Sequence, residues 1–174
     1  MIASRFLQNE GNSIMRIELR PVEENDQDFL FSIYASTRAD EMNLVDWSAE
    51  QKNAFLHMQF DAQTKHYLLY YPNAEYSIIE GVDVPLGRLI VEDRGDHFLI
   101  MDIALLPEYR CLGIGTFLIQ ELKQEAVRLR LPLVLRVEFF NPAVRLYQRL
   151  GFVKTREVNT VYQEMVWTPG SNEA

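Results

Sequence analysis

Between residues 16 and 167 the hydrophobic pattern switches between a period of two and a period near 3.6, the spacings that place one face of a strand or a helix against a core. Ile17-Glu18-Leu19-Arg20-Pro21-Val22 alternates and then meets Pro21, which predicts a short strand ending in a turn. Glu23-Glu24-Asn25-Asp26 sets acidic groups at the positive end of a helix dipole, ahead of Phe29, Leu30, Ile33 and Tyr34 at helical spacing; that helix is predicted to end near Thr37. Residues 38–47 follow neither period and read as a loop. Ser48 with Gln51 three residues on resembles a capping box, so a second helix is predicted from there through His66 or beyond, until Tyr71-Pro72-Asn73-Ala74 breaks it.

The second half changes to strands. Tyr76 to Ile79, Leu86 to Val91 and Phe98 to Leu106 are separated by two turn-like segments, which predicts an antiparallel meander. The third of these is nearly all apolar, as a central strand buried on both faces should be. A helix follows, with Ile114, Leu118, Leu122, Ala126 and Leu129 on one stripe, and Pro132 stops it. Leu133 to Val137 is another strand, a short helix is expected over 142–149, and strands at 153–158 and 162–167 complete the sheet. Residues 1–15 are read as a flexible N-terminal arm, 16–167 as a single domain, and 168–174 as a disordered tail.

A chain of 174 residues that is 48% hydrophobic is long enough for one sizeable core, which supports the one-domain reading. The net charge of −8 and the absence of a Lys/Arg cluster argue against nucleic acid as a partner. One cysteine, Cys111, permits no intrachain disulfide and no cysteine-based metal site, and His57, His66 and His97 lack zinc-ligand spacing, so no metal is expected. No stretch reaches membrane-spanning length or resembles a signal peptide, so a soluble, cytoplasmic protein is expected.

Candidate chemistry sits where the apolar strand meets the long helix. Glycines at 113 and 115 remove Cβ atoms where a ligand would approach the backbone, and the free N–H groups of a helix start favour negative charge, phosphate above all. Close packing is the other reason for a Gly-x-Gly pair at a helix start. No Lys-Ser/Thr follows as in a P-loop, the third glycine of a dinucleotide fingerprint is missing, and the antiparallel run upstream disagrees with a βαβ unit.

The whole segment Asp102-Ile103-Ala104-Leu105-Leu106-Pro107-Glu108-Tyr109-Arg110-Cys111-Leu112-Gly113-Ile114-Gly115-Thr116 resembles the acetyl-CoA-binding motif of the GNAT superfamily of N-acyltransferases, through its Arg-x-x-Gly-x-Gly core. Asn141-Pro142-Ala143-Val144-Arg145-Leu146-Tyr147, with Leu150-Gly151-Phe152, looks like that family's second motif, in the correct order. The resemblance implies an α/β (α+β) fold with a mixed, mostly antiparallel six- to seven-stranded sheet flanked by helices on both faces. It implies that the backbone amides of Arg110, Cys111, Leu112, Gly113, Ile114, Gly115 and Thr116 hold the pyrophosphate of acetyl-CoA. It also implies that backbone groups around Ile103, Ala104 and Leu105 pair with the pantetheine arm as an added strand. Cys111 stands where the family often has glycine or another arginine.

Asn141 suits an N-cap and Pro142 a first helical position, which puts Tyr147 near the end of a two-turn helix. The tyrosine matching Tyr147 in the family lies close to the coenzyme sulfur and acts as general acid; simple packing is the competing role. Asp102 is the only charge within an otherwise apolar strand. It reads either as a base or ammonium anchor, or as the partner of Arg88 or Arg136 on a neighbouring strand, with Glu138 as the alternative carboxylate. The resemblance implies that the acceptor enters over Arg38 to Trp47 and the second helix, where Asp40 and Glu41 could meet an amine or serve only as solvated loop charges. The expected activity is transfer of acetyl from acetyl-CoA to a primary amine of a small molecule or peptide through a ternary complex, by a monomer or homodimer. A non-catalytic acyl-CoA-binding regulatory module and a purely structural partner-binding domain are the alternatives.

Overall fold

The computed structural model describes residues 5–8, 14–82 and 84–170. In chain order the elements are β1 (Arg5–Gln8), β2 (Ile14–Pro21), α1 (Gln27–Thr37), α2 (Ala39–Asn43), α3 (Ala49–Tyr70), β3 (Ala74–Glu80), β4 (Pro85–Asp93), β5 (Phe98–Leu105), α4 (Ile114–Leu129), β6 (Leu133–Glu138), α5 (Val144–Arg149), β7 (Val153–Glu157) and β8 (Tyr162–Trp167). Among the described residues the strands form one sheet in the order β1-β2-β3-β4-β5-β6-β8-β7, antiparallel throughout except between β5 and β6.

Seven of these strands lie where the hydrophobic alternation placed them. Residues 5–8, assigned from sequence to an arm, instead pair with Ile14–Ile17 as an additional edge strand. The tail assigned to 168–174 lies outside the described residues from 171 onward. Residues 38–47, read as a loop, contain the single-turn helix α2, whose first turn carries Asp40 and Glu41 as an N-terminal dipole prefers. The βαβ unit that the upstream meander argued against is present: α4 crosses over to bring β6 parallel to β5.

Period-two alternation splits the sheet into two faces. Ile79, Leu89, Ile100, Leu133, Leu135 and Met165 turn to one side and pack with Ile114, Leu118, Ile119 and Leu122 of α4. Ile78, Ile90 and Ala104 turn to the other, where Ile33 and Tyr34 of α1 and Phe60 of α3 are buried. Ser48 opens α3 with the expected reciprocal cap, its Oγ accepting from Gln51 N at 3.3 Å while Gln51 Oε1 accepts from Ser48 N at 2.9 Å.

Candidate active site

The sheet comes apart at its centre. β5 and β6 pair only through Phe98–Ile100 and Leu133–Leu135, yet both strands continue, to Leu105 and Glu138. A bulge contributes to the divergence: Ile90 opposes Asp102 and Val91 opposes Ile100, which leaves Met101 as the extra residue and bends the strand. Leu106 N–H donates to Leu86 O at 2.9 Å, so in the antiparallel alternation Ala104 also addresses β4, while Ile103 and Leu105 address the open edge. Ala104 is thus removed from the groups free to pair with a ligand. Ile103 and Leu105 keep the position expected of them.

The loop after β5 has the geometry of an anion cradle. Gly113 is left-handed, with φ of 84°, and leads directly into right-handed Ile114, so successive N–H groups converge. The helical ladder opens with Phe117 N–H on Gly113 O at 2.9 Å, so Ile114, Gly115 and Thr116 have N–H groups without an intrahelical acceptor. A Cβ on Gly115 would meet only Leu146 Cδ2, at an ordinary 3.8 Å. Internal packing therefore does not account for that glycine, and its backbone is open to the approach of a ligand.

Arg110 does not belong to this cradle. Its N–H donates to Pro107 O at 3.2 Å, and its guanidinium donates to Leu105 O and Ser36 Oγ, both at 2.9 Å. It clamps the end of β5 to α1, and the free amides begin at Cys111. Cys111 itself adopts φ of 60°, a region that penalises a side chain. Cys111→Gly is expected to raise stability by about 0.5–1 kcal/mol, read as a higher urea midpoint at unchanged m-value.

Tyr147 is on α5, whose entry is shaped by Asn141 Oδ1 accepting from Ala143 N at 2.9 Å; the helix starts at Val144, two residues later than its proline suggested. The ring is buried against Phe152, with centroids 5.9 Å apart, and the hydroxyl makes no hydrogen bond among the described residues. Burial, and secondarily the charge of Asp102, push the Tyr147 phenol up to about 12. Tyr67, on α3, is pushed to about 12 by burial and then by Asp102 as well. Because folding favours the neutral phenol, this stabilisation is complete below the ordinary value near 10 and is lost as pH rises toward 12. Burial raises Tyr76 and Tyr162 as well, so a spectrophotometric titration should show a group of late tyrosinates, with one fewer near pH 12 in Tyr147→Phe.

Asp102 finds its compensation on the same face. Arg88 Nη2 lies 2.5 Å from Asp102 Oδ2 and donates, at 3.4 Å, to Gln63 Oε1 of α3. Arg88 is 7% exposed and its Nε is buried with no partner. Arg136, the other partner considered for Asp102, faces Glu164 instead, at 3.6 Å. Glu138 accepts from Tyr162 Oη at 3.0 Å and lies 3.7 Å from Arg38 Nη1, which also pairs with Glu41 at 2.9 Å. These contacts join the α1–α2 corner to the free end of β6. Next to it, Tyr34, Met42, Phe55 and Gln59 line a cavity of about 240 Å3 with Arg38 and Glu41. Ser36, Gln63 and Arg38 carry no local sequence signal; each matters only because a helix brings it over the sheet. No group of three or more His, Cys, Asp or Glu residues suited to a metal occurs among the described residues.

Residues 30–152 match the family model described as the acetyltransferase (GNAT) family. No curated protein matches the sequence. Among solved structures, PaiA N-acetyltransferase from Thermoplasma acidophilum, crystallised with coenzyme A, superposes with a TM-score of 0.66 at 15% identity, over 87% of this chain and 98% of that one. An acetyltransferase from Thermus thermophilus gives 0.64 at 16% identity, over 87% and 96%. The ribosomal-protein-S18-alanine N-acetyltransferase from Escherichia coli gives 0.61 at 18% identity, over 91% and 99%. At such identities the likeness establishes the fold.

Proposed function

From the fact that this chain belongs to the acetyltransferase (GNAT) family, whose members transfer acetyl from acetyl-CoA, we propose that its acceptor is a primary amine of a small molecule or peptide, acetylated directly in a ternary complex. The observation that carries this reading is the open edge of β5: Ile103 presents its unpaired N–H and C=O and Leu105 its unpaired N–H beside Asp102, and Asp102 is close enough to shift the Tyr147 phenol. The amides from Cys111 to Thr116 hold the pyrophosphate, and the N–H and C=O groups of Ile103 with the N–H of Leu105 align the pantetheine arm. Acetyl-CoA supplies the thioester carbonyl. Tyr147, kept neutral by burial, holds the proton that the departing thiolate needs. Asp102, or water ordered by it, accepts the proton of the amine, with Glu138 as the second candidate.

Release of free coenzyme A across a panel of amines tests this reading. Amine-dependent release with intersecting initial-velocity lines supports direct transfer. Tight acetyl-CoA binding without release for any amine would replace it by the regulatory-module reading. Comparing pH–rate profiles of Asp102→Asn and Glu138→Gln assigns the base, since only the responsible substitution should abolish the lower limb.

A further inference from the structure

Away from the catalytic cleft, the sheet face bearing Asp102 has a second concavity at the other end of β5. Arg94 and His97 from the β4–β5 turn, Arg136 from β6 and Arg156 from β7 converge there around Tyr71 and Glu164, enclosing about 270 Å3. Leu99 and Val134, paired across the β5–β6 junction, form an apolar floor. Three guanidinium groups face one lining carboxylate, in a chain whose net charge is −8.

The acidic groups around it leave donors unused. Glu164 lies directly opposite both Arg136 and Arg156 in the sheet. It accepts two hydrogen bonds of 2.8 Å from Arg156, but its nearest approach to Arg136 is 3.6 Å, too long for a hydrogen bond. Arg136 therefore donates no hydrogen bond among the described residues. Arg94 pairs with Glu92 and lies over the Tyr71 ring, 5.2 Å from its centroid, and His97 Nδ1 lies 2.6 Å from Asp96. A planar fork with free donors above an apolar floor is suited to an oxyanion attached to a small apolar body. The volume, just under the range of about 300–1,000 Å3 typical of ligand pockets, limits that body to a few atoms.

We infer that this concavity is a binding site for a small organic dianion, carboxylate or phosphate, distinct from the acetyl-CoA cleft. The inference does not depend on the acceptor proposed above. Six residues of extended β5 separate Leu99 from Leu105, which places the two sites about 20 Å apart.

The test is calorimetric titration of propyl phosphate and, separately, glutarate into protein saturated with coenzyme A, so that the cradle at 111–116 is already occupied. Saturable binding of either anion is expected, and the better of the two identifies the headgroup. Arg136→Ala and Arg156→Ala should each weaken it at least tenfold, while Arg128→Ala, outside the site, leaves it unchanged. Glu164→Gln should tighten it severalfold by releasing both guanidinium groups, an effect of opposite sign that misfolding does not mimic. No saturable binding of either anion, or binding equally sensitive to Arg128→Ala, overturns the inference.

Discussion

Tyr147→Phe is expected to lower kcat by about 10²–10⁴ while acetyl-CoA affinity stays within about twofold of wild type. The substitution keeps the ring that packs against Phe152 and removes only a hydroxyl without a hydrogen-bonding partner among the described residues, so the fold should be little affected. The main-chain amides of 111–116, proposed to hold the coenzyme, lie on another element and are not altered. Steady-state turnover and coenzyme titration on the same preparation check both halves. Unchanged turnover would return Tyr147 to a packing role and move the proton source to water.

Asp102→Ala should destabilise the protein by about 3–5 kcal/mol. Removal of the carboxylate leaves the Arg88 guanidinium buried with a single long hydrogen bond, to Gln63 at 3.4 Å, and with its Nε already unpartnered. For a chain of this size that corresponds to a fall of roughly 6–20 °C in Tm, at about 2–4 °C per kcal/mol. Asp102→Asn retains the shape and one acceptor oxygen, so its loss should be smaller. The combination Arg88→Met with Asp102→Leu should recover much of the stability, because replacing both ions avoids the unpaired charge. Activity separates the two roles of the aspartate: if the double variant is stable and still turns over, the pair is structural and the base is Glu138 or water. Melts and turnover on the four proteins decide it.

Of the two roles weighed for Asp102 from sequence, its surroundings show the pairing with Arg88, and its role as a base stays a proposal. The ion pair with Arg88 satisfies a carboxylate in an apolar strand, and the same carboxylate shifts the phenols of Tyr67 and Tyr147. Alternation alone placed Arg88 and Asp102 on one face once the register was known, but the register includes a bulge at Met101 that no composition signal marks. Arg110 shows the opposite case. As the first residue of a glycine-rich motif it read as a phosphate ligand through its backbone amide, yet that amide donates to Pro107 and its side chain turns to Leu105 and Ser36. A motif specifies the residue and its spacing, whereas the direction of a long side chain depends on which helix end lies beside it.

Local information in the chain was sufficient wherever a residue's partners are near in sequence. Strand and helix periods, the Ser48–Gln51 cap and the glycines that open α4 depend on neighbours within a few positions. Two ordered motifs then identified the family. The tertiary structure decided everything that requires distant segments to meet: the parallel pairing of β5 with β6 and its early end, the pairing of Ala104 with β4 and of Arg110 with Leu105 and Ser36, and the Arg88–Asp102 pair. It likewise assembled the basic concavity, from residues between 71 and 164. Register and strand divergence are set by the sum of many weak packing contacts over two sheet faces, and no short window of sequence contains that sum.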